Sequence, residues 1–133
     1  VFIDFGYGTG LKSIGDGWGR TWQLVPFGGA SADPQMLNKR GEMFNACKTW
    51  LKLGGALDEQ ETADDLSAAE YKVRVDGKIV MEPKEDIKER LGRSPGKGDA
   101  LLLTFAYPVA KRSDFPAAGG KQPNVISDYD PWA

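Results

Sequence analysis

A chain that opens on Val1-Phe-Ile-Asp4, breaks into glycines at 6, 8 and 10, and resumes with Trp22-Gln-Leu-Val-Pro-Phe27 has few ways to fold. The first run is β-branched and aromatic, and it reads as a buried strand that delivers Asp4 to a flexible Gly-rich turn. Residues 11–17 read as a weak helix. Residues 22–27 read as a second strand, closed by Gly28 and Gly29. The interval between the strands has the length of a crossover, so they are expected to lie parallel in a βαβ unit with ligands at their carboxyl ends. Asp4 then stands at the edge where such folds do their chemistry.

Downstream, Ser31 to Pro34 is a loop, and Met36 to Leu53 carries Met36, Met43, Phe44, Cys47, Trp50 and Leu51 at helical spacing before Gly54 and Gly55 stop it. A further helix is expected over 59–70. Tyr71-Lys-Val-Arg-Val and Lys78-Ile-Val-Met-Glu alternate on either side of Asp76-Gly77, which signals a β-hairpin. After Pro83 comes a charged helix, then the loop Arg93-Ser-Pro-Gly-Lys-Gly98, then an apolar helix from about Asp99 to Tyr107. The expected organisation is one α/β domain over 1–110 and an irregular tail, rich in Pro, Gly, Ser and Asp, over 111–133.

Composition narrows the chemistry. With 133 residues, 41% hydrophobic and 27% charged, the chain can bury one core. It has no histidine, which removes Ser-His-Asp and Cys-His triads, histidine bases and His-ligated zinc. A single cysteine, Cys47, cannot form an internal disulfide. With no signal-peptide pattern and no apolar stretch long enough to cross a bilayer, a cytoplasmic location is expected. The start at Val1, in what reads as the middle of a strand, leads us to expect further sequence upstream.

The net charge of −2 conceals a segregation. Residues 58–70 hold six acids and no base, whereas residues 84–97 hold five bases (Lys84, Lys88, Arg90, Arg93, Lys97) against three acids. Solvated helix faces account for such runs, and so does a surface for a polyanion. The basic run leads into Asp99, which admits two readings: the N-cap of the apolar helix, or a ligand for a hard cation. If Asp99 is a ligand, Asp99→Asn removes activity with little loss of stability; if it is a cap, the domain loses stability instead. With Asp4 it could hold Mg²⁺ or Mn²⁺, and Lys84, Lys88, Arg93 and Lys97 could hold phosphates without reading sequence. The opening glycines lack both the GxGxxG and the P-loop spacing, so they are read as packing and turn residues rather than as a nucleotide site. Glu42 and Arg40 are read as an intrahelical or helix-to-loop pair that supports the fold.

The runs Asn38-Lys-Arg-Gly-Glu-Met-Phe44, Trp50-Leu-Lys-Leu-Gly54, Pro83-Lys-Glu-Asp-Ile-Lys-Glu-Arg-Leu-Gly-Arg-Ser-Pro95 and Gly98-Asp-Ala-Leu101, in that order, resemble the C-terminal nuclease domain of tailed-phage terminase large subunits. The closing Tyr129-Asp-Pro131 also resembles how some of these subunits end. The resemblance implies a ribonuclease H-like α/β fold, here partial, with a two-metal Mg²⁺ or Mn²⁺ site that cuts double-stranded DNA concatemers during genome packaging. It implies Asp4 as the second acid of the family's triad and Asp99 as the last, with the first on a strand upstream of Val1. It implies as partners double-stranded DNA, the terminase ATPase domain, the small terminase subunit and the portal, in the host bacterial cytoplasm, from a phage or prophage. Many relatives carry an acid where Gly96 stands, so no acidic role transfers to that position. Two other functions stay open: a junction-resolvase-type nuclease of the same fold class, and a catalytically incomplete DNA-binding or assembly module of the packaging motor.

Overall fold

The computed structural model describes residues 1–109; the tail expected over 111–133 lies outside them. Strand β1 (Phe2–Asp4) leads directly into helix α1 (Phe5–Gly17), and the chain returns through β2 (Gln23–Val25). The two strands pair in parallel, Phe2 opposite Gln23 and Asp4 opposite Val25, so the expected βαβ unit is present. Its crossover differs from the expectation. The glycines at 6, 8 and 10 are not a flexible turn but the first turns of α1. The reason is close packing: a Cβ on Gly8 would lie 2.2 Å from Ile3 Cγ2 and 3.1 Å from Leu24 Cδ2, so only glycine lets this helix lie on its own two strands.

Helix α2 (Lys39–Lys52) begins three residues later than its apolar spacing suggests. Asn38 caps it, accepting from the Gly41 N–H at 3.1 Å, and the preceding segment is extended instead. There the Leu37 N–H donates to the Ile79 carbonyl (2.9 Å) and the Ile79 N–H to the Gln35 carbonyl (2.8 Å). This bridge ties the hairpin of β3 (Tyr71–Val73) and β4 (Ile79–Met81), antiparallel as expected, to the start of α2. Between them lies α3 (Gln60–Ser67), shorter than expected, and after Pro83 comes α4 (Lys84–Leu91), ended by Gly92 in the left-handed region at φ 71°.

Helix α5 (Gly96–Leu103) starts three residues before Asp99. It packs against α3, α2 and β1. Val25, Met43, Cys47, Leu102 and Ala106 form the core where β2, α2 and α5 meet, with Phe2, Trp50 and Phe105 packed around it. Burial of each large aliphatic side chain there is worth about 1.5–3 kcal/mol. Burial also pushes the Cys47 thiol up, away from its reactive thiolate form.

Glu42 does support the fold, but with Lys39 and not Arg40. Its carboxylate accepts from Lys39 Nζ and from the Ala32 N–H, each at 2.7 Å. Burial alone would raise Glu42; the Lys39 hydrogen bond and the Ala32 N–H outweigh it and hold the carboxyl below its ordinary value. A carboxyl depressed in the folded state contributes stability that is complete above its unfolded value of 4.5 and is lost as pH falls through the lower folded value. Glu42→Gln is therefore expected to cost about 1–2 kcal/mol at pH 7 and to flatten the acid limb of a plot of melting temperature against pH. An unchanged acid limb would show that the pair contributes nothing.

Candidate functional site

Asp4 is the last residue of β1 and the N-cap of α1, its Oδ1 accepting from the Gly6 N–H at 2.9 Å. Asp4 is thus the cap of α1, while the N-cap position of α5 is held by Pro95 and not by Asp99. One carboxylate oxygen is committed to the backbone, and the other faces a cleft of about 570 Å³ lined by Asp4, Tyr7, Asn38, Arg40, Lys84 and Lys88, among others.

Asp99 makes an ordinary intrahelical bond, its N–H donating to the Pro95 carbonyl at 3.0 Å, and its side chain caps nothing. The carboxylate, 9% exposed, points at two cations: Arg40 Nη1 lies 3.7 Å from Oδ1, and Lys84 Nζ lies 2.5 Å from Oδ2. Lys84 Nζ is also 4.0 Å from Asp4 Oδ2. Two acids from opposite ends of the described chain therefore meet over one ammonium. Lys84 can reach both because it opens α4 immediately after Pro83, where the hairpin hands the chain back toward the sheet.

Arg40 is the residue that sequence reasoning misplaces. Its guanidinium lies over the rings of Phe27 (5.7 Å) and Phe44 (5.4 Å) and beside Asp99, while its backbone N–H donates to the Phe27 carbonyl at 2.8 Å. Burial lowers its pKa, and the carboxylates of Asp99, Glu85 and Asp4 oppose that. Its Nε and Nη2 are buried without hydrogen-bond partners, and Asp99 Oδ2 has no well-aligned one despite the nearby Lys84. Arginine does not deprotonate under such conditions, so the site keeps a fixed positive charge beneath Asp99.

The four expected phosphate-binding bases divide into two pairs. Lys84 and Lys88, one helical turn apart on α4, face the cleft that holds Asp4. Arg93 and Lys97 turn instead to the acidic helix α3. Arg93 Nη1 is 2.5 Å from Asp65 Oδ1 and 3.6 Å from Glu61; Lys97 Nζ is 2.5 Å from Glu59 and 3.0 Å from Glu61, which together raise its pKa. Much of the charge segregation seen in the sequence is thus neutralised within the fold.

The donor set suits a hard divalent ion. It is all carboxylate oxygen, with Lys84 Nζ the shared neighbour of both acids and its contact to Asp99 Oδ2 poorly aligned as a hydrogen bond. Magnesium sites commonly take only one or two carboxylates, with water and substrate oxygens completing the shell. No group of three acidic, histidine or cysteine side chains that could hold a metal ion gathers among the described residues; Asp4 and Asp99 are the two acids that meet at Lys84. A second cleft, about 390 Å³ between α2 and the hairpin, has no acid in its lining, and a third, about 310 Å³, holds Glu70, Glu82 and Asp86, of which Glu70 and Glu82 pair with Arg90.

No family model and no curated protein matches the chain. A search of solved structures finds the nuclease domain of the large terminase subunit gp2 of bacterial virus Sf6, with a TM-score of 0.58 and 21% identity. The match covers 82% of this chain and 65% of that domain. The chain therefore shares the α/β fold of that domain and spans just under two thirds of it.

Proposed function

We propose that this chain is the acid-bearing part of a divalent-ion-dependent endonuclease that cuts double-stranded DNA during packaging of a phage or prophage genome. The observation that carries this reading is the meeting of Asp4 and Asp99 at Lys84, in a fold like that of the Sf6 nuclease domain. Asp4 and Asp99 would hold Mg²⁺ or Mn²⁺. Such an ion, when bound, lowers the pKa of water and offsets phosphodiester charge. Capping of α1 fixes the Asp4 oxygen that faces the cleft, and Arg40 holds a permanent charge beneath Asp99. Lys84 and Lys88 would seat the DNA backbone, with Arg93 and Lys97 adding contacts through donors their α3 pairs leave free. A two-ion arrangement needs a further acid, which the resemblance puts upstream of Val1. The ATPase domain, small terminase subunit and portal would be the partners, in the host bacterial cytoplasm; among the described residues no helix is long and apolar enough to cross a membrane.

The test is cleavage of plasmid DNA with Mn²⁺, abolished by chelation, in protein extended upstream of Val1. Lys88→Ala is expected to weaken duplex binding equally across sequences and to reduce the salt slope of log Kd by about 1, while Mn²⁺ binding stays unchanged. Duplex binding without Mn²⁺-dependent cleavage would favour an assembly module. Preference for four-way junctions over linear duplex would favour a resolvase.

A further inference from the structure

Helix α5 carries Asp99 in its first turns but has no cap of its own. Pro95 stands at the N-cap position and makes no side-chain hydrogen bond to the helix. The first N–H groups of a helix need acceptors, and a buried helix start without them costs stability. One acceptor comes from another helix: Asp65 Oδ2, on α3, accepts from the Gly98 N–H at 3.0 Å. Gly98 also lies tight against α3, since a Cβ there would lie 2.7 Å from Asp65 Cβ. Asp65 is 2% exposed and its other oxygen is 2.5 Å from Arg93 Nη1. A buried carboxylate is thus aimed at the residue beside Asp99 and gripped from the loop before α5.

We propose that Asp65 is a positioning residue for the metal-binding acid: by capping α5 at Gly98 it sets where Asp99 stands relative to Asp4. Arg93 acts through it, by holding the carboxylate in the orientation the cap requires. The idea rests on the proposed divalent-ion site, and partners that orient first ligands commonly account for 10–100-fold in metal affinity. Asp65 itself touches neither the cleft nor Asp4.

The test is Mn²⁺ titration by calorimetry with Asp65→Ala, Asp65→Asn and Arg93→Gln, alongside melting curves and amide hydrogen exchange. Asp65→Ala is expected to weaken Mn²⁺ binding about tenfold or more. Asp65→Asn, which keeps an oxygen facing Gly98, should recover most of that affinity even if its melting temperature stays low. A structural role alone would make affinity follow melting temperature instead. A folded Asp65→Ala protein that binds Mn²⁺ as the wild type does would overturn the proposal. If Asp65→Ala does not fold, Arg93→Gln takes its place: wild-type affinity in a folded Arg93→Gln protein would overturn it equally. If the wild-type protein binds no Mn²⁺, the metal reading fails separately. Exchange then decides the positioning role: unchanged protection of the Gly98 and Asp99 amides in Arg93→Gln rejects it, and lost protection there, with protection kept in Asp65→Asn, upholds it.

Discussion

Asp99→Asn should eliminate Mn²⁺ binding in the cleft and lower Mn²⁺-dependent cleavage by at least about 10³-fold, because a bound ion supplies several kcal/mol of charge stabilisation and each 1.36 kcal/mol is tenfold in rate. The same substitution should cost about 3 kcal/mol of stability. The sequence alone opposes these effects as ligand against cap, but in the structure a loss of stability at Asp99 does not need a cap. Asp99 caps nothing, yet its carboxylate is the nearest acid to Arg40, whose side chain is 8% exposed. Removing the charge leaves a guanidinium buried and uncompensated, with Nε and Nη2 already unpartnered, whereas Lys84, 31% exposed, can turn to water. Calorimetric titration with MnCl₂ and a melting curve separate the two effects. Wild-type Mn²⁺ affinity in the Asn variant would sink the metal role; an unchanged melting temperature would show that Arg40 does not depend on Asp99.

Gly8→Ala should destabilise the domain by about 3 kcal/mol or more, at or above the upper end for an overpacked core. The new methyl would stand 2.2 Å from Ile3 Cγ2, on the strand that ends at Asp4, so relief requires Ile3 to leave its rotamer or α1 to shift on β1. A shift of α1 carries the Asp4 cap with it, and Mn²⁺ affinity should then fall together with stability. Gly10→Ala is the internal control. It lies in the same helix with nothing within 4 Å of its Cβ, so it should stabilise by about 0.5–1 kcal/mol through helix propensity alone. Opposite signs at two positions so close in one helix are readily measured by urea unfolding. Destabilisation at both would place the fault in the helix itself, and stabilisation at both would show that α1 does not pack as described.

What can be read from the residues and what cannot divides along sequence separation. The parallel pair β1 and β2, the Asp76-Gly77 hairpin and the charged helix after Pro83 follow from local pattern: an apolar run between glycines, alternation about a turn, a proline at a helix start. The glycines of α1 read as a turn because their helical use depends on Ile3 and Leu24, which no local rule connects to Gly8. Arg40 is two residues from Glu42, and on a helix that spacing points the side chains apart; its actual neighbour, Asp99, lies across the fold. Asp65 is one acid in an acidic run. The only signal that could single it out is an unsatisfied helix start at Pro95, and that signal names a missing acceptor without saying where it comes from.

The order in which the site comes into being follows from where its acids sit. Asp4 is fixed by a βαβ unit of short loops that can close early, since nearby segments meet at small entropic cost. Asp99 depends on contacts made across the fold, because α5 docks on β1, α2 and α3 together. The two acids therefore meet only where contacts far apart in the sequence have formed. In the proposed reading, cutting competence is a late product of folding, and a chain that stalls on the way is harmless to the DNA around it.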